Sequence, residues 1–594
     1  MRLKALVFMW MVGVPAVAFA QSDTSNSALF YQKLQRRAES KKLTFFLYKV
    51  FFNVPNEEDL DSLVKETRNY EGKFIRKVII RTREPFGTSL SDSIEKSRSI
   101  FQKTANALHF RTRVKAIDNL LLFSEGQELD ALELEETERL IRTSGFIRDV
   151  KIQVVDVNKD SVDVFVDTRD LWTFKTSATV SSSSTRWKFT GYNLFGMGHR
   201  MSNEFKWFNS NSNLLSPEWS GYYLIPSLAG SFASAKLDYQ IIGENRSIGL
   251  FVDRPFITSF AEWAGGAHVT RYFKNETIRI TASKSEPFKK EGFSYGGWIG
   301  RSIMLKKGET KEQRSTRIAV AGSISVDECS RLTTADQTTS ELLATTKTYL
   351  ISTGYSNRKY IEDQYIFQFG EQEDVPSGRK LQITSGFEQK SSGHRPYLGA
   401  TLGIGGYVAN QFFLAQQLDA GTFIKSGEYQ DAMLRWRTFW YSPLIEVGEW
   451  KLRLFGEMNY AKYLNQTKYQ PLNLQQDKLL PGYKYNSPEG LERLAANITL
   501  TIFNPVDWLG FRFTPLLYGA AGIIGDGVNP LSRSNLLGVW GLGLAISNKF
   551  LAQSDFKLVL AFFPNQTDSY RIGSISAWEY EFRDYEFSRP EVVF

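Results

Sequence analysis

The sequence predicts a transmembrane antiparallel β-barrel preceded by a small α/β domain, and three observations carry that prediction. From about Thr173 to Phe594 apolar and polar residues alternate with a period of two, the pattern of strands wetted on one face only. Aromatics reach 14% of the 594 residues, as 44 Phe, 26 Tyr and 13 Trp, which suits a wall with ring girdles at two membrane–water interfaces. After the first twenty residues no stretch approaches the run of about 18 apolar residues that a helical span needs.

The N-terminus has the form of an export signal. Arg2 and Lys4 precede the apolar run Ala5 to Val17, and Ala18-Phe19-Ala20 is a small-x-small cleavage site before Gln21. A membrane anchor is the alternative, but the apolar run is too short for one. Gln rather than Cys at position 21 offers no lipid attachment. The lone Cys329 excludes an internal disulfide framework and a thiol metal cluster. A net charge of +8 without a basic cluster interleaved with aromatics gives no reason to expect a nucleic-acid partner.

Residues 21–68 read as an extension with short helices of no evident purpose. Residues 69–172 read as a compact β-α-α-β-β unit. Lys73 to Arg83 alternates as a strand, helical patterns cover Arg113–Phe123 and Glu133–Ser144, and strands at Val150–Val157 and Ser161–Asp167 flank the turn Asn158-Lys159-Asp160. In the second helix Leu132, Leu134, Leu140 and Ile141 share a face.

Residues 173–594 form the barrel. In Trp450 to Tyr460 one face carries Trp450, Leu452, Leu454, Gly456, Met458 and Tyr460, and the other carries Lys451, Arg453, Glu457 and Asn459, with Phe455 as the exception. Charged side chains facing lipid would cost about 2–4 kcal/mol each near the midplane, so they must face a polar lumen. Near the C-terminus long connections (462–493, 521–535, 564–572) alternate with short ones (442–449, 504–508, 548–554), as membrane barrels arrange their loops. Turn signals allow between about 16 and 20 strands, an even number because both barrel ends lie in one compartment.

The stretch His109 to Asp170 resembles a polypeptide-transport-associated (POTRA) domain, through Phe123-Ser124-Glu125-Gly126, then Glu136–Arg139 with Ile141, then Gly145-Phe146-Ile147. Gly145 is placed to end the helix in a left-handed cap, with Phe146 packing back over the sheet. One such domain before a barrel resembles the BamA/TamA-type outer-membrane protein assembly and translocation superfamily, of the bacterial surface antigen type. Asn193, Leu194, Gly196 and Gly198 match the family's N-L-x-G-x-G turn between early strands. Pro481-Gly482-Tyr483, in a long loop with five strand patterns after it, sits where the family's lumen-entering loop has its tip; Pro481 replaces the family's arginine, which pairs with acidic groups on the inner wall. The resemblance implies sixteen strands.

Tyr580, Phe582, Tyr585 and Phe587 read as a C-terminal strand, interrupted by Ser588-Arg589-Pro590, with Phe594 as the terminal aromatic. The closing seam pairs a strand near Thr176–Ser182 with one near Ile575–Phe587; a solvated linker is an equal reading of the first. The resemblance implies a cell outer-membrane protein, its N-terminal domain in the periplasm, that assists insertion or translocation of other polypeptides captured by edge-strand pairing. Lipid handling or passive solute conduction is the alternative, and a barrel hydrolase the weakest. Its implied partners are outer-membrane lipid, unfolded outer-membrane or secreted polypeptides, and periplasmic chaperones or assembly components. No G-x-S-x-G elbow, H-E-x-x-H or P-loop is present and the four histidines are scattered, so no catalytic residue, metal site or cofactor is expected.

Overall fold

The computed structural model describes residues 68–86 and 106–593 apart from short breaks, the longest at 209–216, 306–313, 481–487 and 574–583. The expected signal peptide, residues 21–67, Pro481, Gly482, Tyr483, Tyr580, Phe582 and Phe594 therefore lie outside the described residues. The chain divides into two compact units. Glu57–Gly406 with Leu414–Phe594 form the larger. The smaller has described residues only around Tyr407–Phe413, where those two rings meet edge-on at 5.5 Å.

The α/β unit consists of β1 (Phe74–Arg83), α1 (Val114–Asp118), α2 (Ala131–Thr143), β2 (Ile147–Asn158) and β3 (Ser161–Asp170). The sheet order is β1-β3-β2, parallel between β1 and β3 and antiparallel between β3 and β2. Central β3 buries Val162, Val164 and Val166 against Leu134 and Ile141 of α2, with Ile75, Phe123 and Phe146 closing the core. Asp130 caps α2 by accepting the Leu132 N–H at 2.9 Å. Helix α1 is shorter than the pattern over 113–123 predicts. Phe123 must reach the core, and the Gly126 N–H is given to the Ile75 carbonyl at 2.8 Å, so the chain leaves the helix at Asn119 through turn bonds.

The remaining strands run in sequence from β4 (Phe174–Val180), β5 (Ser184–Leu194) and β6 (His199–Phe208) to Tyr570–Gly573, which lies next to β4 in a closed antiparallel barrel. Counting Ile445–Val447 and Asp507–Trp508 as continuations of their neighbours, the described residues make twenty passes. That is the upper end of the turn count and exceeds the sixteen that the resemblance implies. The segment Asp584–Val593 forms no strand, so the expected C-terminal strand through Tyr585 and Phe587 is not made.

Faces segregate as the alternation requires. Ile248, Leu250, Val252, Val269, Ile299, Ile324, Ile351, Ile383, Leu402, Ile498 and Leu542 are exposed on the outside. Water-soluble monomers keep apolar patches to roughly 300–600 Å²; a belt around a whole barrel fits lipid instead. No helix among the described residues is long and apolar enough to cross a membrane, so the crossing is made by strands. Arg453 and Asn459 are buried facing inward, and Arg453 is paired with Asp363 at 2.8 Å. Phe455, the exception to the alternation, also turns inward and packs on Tyr441 at 5.9 Å.

Loop lengths follow the predicted segregation only towards the C-terminus. At the end away from the α/β unit the connections at 243–244, 391–392 and 426–427 are only two residues long. At the near end the connections at 255–262, 305–315 and 365–371 are longer, and the first two meet the α/β unit through Ile257 and Arg314.

Candidate functional site at the barrel mouth

The sequence motifs converge on the turn between β5 and β6. Asn193, at φ 56°, donates from Nδ2 to the Phe110 carbonyl at 3.1 Å and to Thr112 Oγ1 at 2.7 Å, while its Oδ1 accepts the Gly198 N–H at 2.8 Å. The Arg113 N–H donates to the Gly196 carbonyl at 2.9 Å. Gly196 and Gly198 have φ of +72° and +75°; a Cβ on the first would collide with the Arg111 carbonyl, and one on the second would lie 2.8 Å from the Phe146 ring. Leu194 is buried beside them. Gly145, at φ +78°, follows α2 and leaves room for the Arg200 guanidinium, while Gly126, at φ +83°, turns the chain back to β1. The turn motif and the Gly145-Phe146 motif are thus two halves of one joint.

A buried polar network backs this joint. Asp170 accepts from His109 Nε2 at 2.9 Å, the Thr112 N–H at 2.8 Å and Thr112 Oγ1 at 2.6 Å. With Nε2 donating, His109 Nδ1 accepts from Thr173 Oγ1 at 2.7 Å. Asp170, His109 and Thr173 have the connectivity of an acid–base–hydroxyl relay, but all three are buried, and the Thr173 oxygen already takes the Phe110 N–H at 3.2 Å. The set fastens the end of β3 to the start of the barrel.

Helix α2 lies against the near mouth. Arg139 packs over the Tyr360 ring at 4.0 Å, pairs with Glu136 at 2.7 Å and donates to the Ile257 carbonyl at 3.3 Å. Arg142 forks onto Asp374 with two bonds of 2.9 Å and reaches Glu362 at 3.1 Å. Burial opposes its charge, but Asp374, Glu138 and Glu362 outweigh burial and raise the Arg142 pKa. Asp130 also pairs with Arg314. Burial pushes Glu138 up to about 7 against the opposing pull of Arg142. Glu133 is also pushed up to about 7, by burial and then by Asp130.

Inside the mouth, Asp584 and Glu586 both hold Arg358, at 3.0 Å and 3.2 Å. Ser356 donates to Glu586 at 2.9 Å, and Gln382 bonds both the carbonyl (3.1 Å) and the N–H (3.2 Å) of Ser588. Tyr585 and Phe587, read from sequence as strand residues, are buried here.

The described part of the long loop carrying Pro481 also enters the lumen. Leu474, Leu479 and Leu480 are fully buried against inward-facing Ala495, Leu516 and Tyr518. Arg493, on the inner wall, pairs with Asp477 of the loop at 2.5 Å and donates to the Asn473 carbonyl at 2.8 Å. The acid therefore sits on the loop and the arginine on the wall, the reverse of the polarity that the resemblance implies. Sequence reasoning missed Arg358, Tyr360, Asp477 and Arg493; their one local signal is that Arg358, Tyr360 and Arg493 occupy inward positions of alternating strands.

Together these features define a membrane-spanning antiparallel barrel with an α/β unit docked at one mouth and two chain segments inside. Among solved structures the chain is similar to BamA from Haemophilus ducreyi lacking POTRA domains 1–3 (12% identity, covering 85% of this chain and 84% of that one, TM-score 0.34). It is also similar to CdiB from Escherichia coli (9% identity, 93% and 98% covered, TM-score 0.40) and to CdiB from Acinetobacter baumannii (9%, 93% and 87%, TM-score 0.39). No family model and no curated protein matches the chain.

Proposed function

We propose that this protein resides in the outer membrane, with the α/β unit in the periplasm, and assists insertion or translocation of other polypeptides. The observation that carries the reading is the free edge of the α/β sheet. Strand β2 is bonded to β3 only, and Val155 and Val157 near its far end are exposed. An extended client adds to such an edge through main-chain bonds that make little demand on sequence. The POTRA-like motif and the unit's seat beneath the lumen support the same reading.

A passive pore for solutes or lipid is the second reading. Occupation of the lumen by 472–480 and 584–593 weighs against it. Depleting the protein and measuring the outer-membrane proteome tests the proposal. Loss of particular barrels or surface proteins is the expected result; an intact proteome with altered solute uptake would overturn it. A photo-crosslinker at Val155 should capture unfolded clients, and at α2 should not.

A further inference from the structure

The segment Asp584–Val593 lies on a patch of inner wall that is built like a receptor. Three strands, Thr346–Gln364, Gln372–Lys390 and Gly393–Ala409, bring successive rungs into register. These are Arg358–Gly378–Gly405, Ser356–Lys380–Gly403, and Gly354–Gln382–Thr401. Each rung does a separate job. Arg358, 4% exposed, takes the two carboxylates of Asp584 and Glu586. Two glycines leave room for rings: a Cβ at Gly354 would collide with the Leu381 carbonyl and stand 3.1 Å from Phe587, and one at Gly405 would overlap Tyr585. Gln382 forms an amide-to-backbone clamp on Ser588, and Lys380 Nζ donates to Ser588 Oγ at 3.0 Å. Further along, Ser323 donates to the Pro590 carbonyl at 3.1 Å and Tyr397 Oη accepts the Val593 N–H at 2.7 Å.

Side chains and glycines of the wall, rather than a backbone ladder, therefore hold the chain, which bends at Glu586. Such a site reads two features: alternating acidic and aromatic residues, and a backbone amide pair. We propose that this wall is a binding groove for a polypeptide segment of acidic–aromatic–acidic–aromatic–serine pattern, and that 584–593 is its intramolecular occupant. The inference deepens the polypeptide-handling reading and rests on it only for where the competing segment comes from; binding itself is testable without any client.

The test uses the full chain in phospholipid vesicles, with Cys329→Ser and a reporter Thr384→Cys, the buried inward position next after Gln382, and reads the rate of labelling by a small maleimide. Asp584→Asn with Glu586→Gln removes the charge pairing and should raise that rate about tenfold or more. A synthetic peptide Asp-Tyr-Glu-Phe-Ser-Arg-Pro-Glu-Val-Val should then restore protection, and the same peptide with its acids as amides should not. If the double variant fails to reach the heat-modifiable folded form, Phe587→Ala, on the segment rather than the wall, serves in its place. An unchanged labelling rate would overturn the proposal. So would a raised rate that no peptide reverses, since the segment would then be a fixed strap, or equal protection by the amide peptide. An unaltered proteome on depletion, with peptide protection intact, would instead overturn the client-handling function and leave the groove standing.

Discussion

Arg139 of the α/β unit and Arg358 of the barrel wall share one aromatic ring and one carbonyl. Their guanidinium groups lie 4.0 Å and 5.4 Å from the Tyr360 ring, and each donates to the Ile257 oxygen at 3.3 Å. Two like charges are tolerated so close together because each has its own acids: Glu136 on the helix side, Asp584 and Glu586 on the lumen side. The docked unit and the lumen segment are therefore linked through Tyr360 and Arg358.

Replacing Tyr360 with Leu should loosen both partners. Hydrogen exchange should quicken in 131–143 and in 584–593 together, each by the equivalent of about 1–2 kcal/mol. Faster exchange in one segment alone would show that the ring does not couple them.

Gly198→Val should undock the unit without unfolding the barrel. The new side chain meets the Phe146 ring, and φ of +75° disfavours a β-branched residue. Limited proteolysis should release a fragment ending near Phe174, while heat-modifiable migration of the barrel persists.

Asp170→Asn leaves the joint with an amide where a carboxylate accepted three bonds, from His109 and twice from Thr112. A loss of about 2–3 kcal/mol is expected for the α/β unit, since hydrogen bonds to buried charge are the costly ones to break. Thermal unfolding followed by tryptophan fluorescence would report it through Trp172, 6.4 Å from the His109 ring. An unshifted transition would remove the network from the list of fastenings.

Acidity should tighten the dock. Glu133 and Glu138 are pushed from the ordinary 4.5 to about 7 in the folded state. Between those values the native state holds more protons than the unfolded one, so their contribution is full below pH 4.5 and lost as pH rises through 7. Exchange within α2 should accordingly be slower at pH 5 than at pH 8, after correction for intrinsic rates. Glu138→Gln should remove about half of that dependence, leaving the share of Glu133; exchange that is instead slower at pH 8 would reverse the assignment.

The barrel was legible because lipid on one side and water on the other impose a period of two, and Trp450 to Tyr460 sorted its faces correctly from that alone. Helix α2 was legible from the shared face of Leu134, Leu140 and Ile141. The seat of 584–593 was not. Asp584-Tyr585-Glu586-Phe587 alternates like a strand, yet Tyr585, Glu586 and Phe587 are all buried. Alternation cannot separate a ladder strand from a chain lying on a wall that takes acids at one point and rings at the next. The partners, Arg358 and Gln382, stand more than two hundred residues earlier. The mouth residues escaped for the same reason: inward polar positions look alike until the barrel closes and decides which of them face an incoming helix.

The two-residue turns at 391–392 and 426–427 give the barrel a lopsided rim. The wall is low above the strands that carry Gln382 and Tyr397, while the described part of 465–491, on another flank, turns inward with Leu474 and Leu480 buried against the inner wall. A macromolecule arriving from the far compartment would meet a threshold at these turns, and the threshold stands over the strands that build the groove. An epitope tag inserted at 391–392 should therefore ride close to the headgroups, and antibody bound there should shadow the entrance.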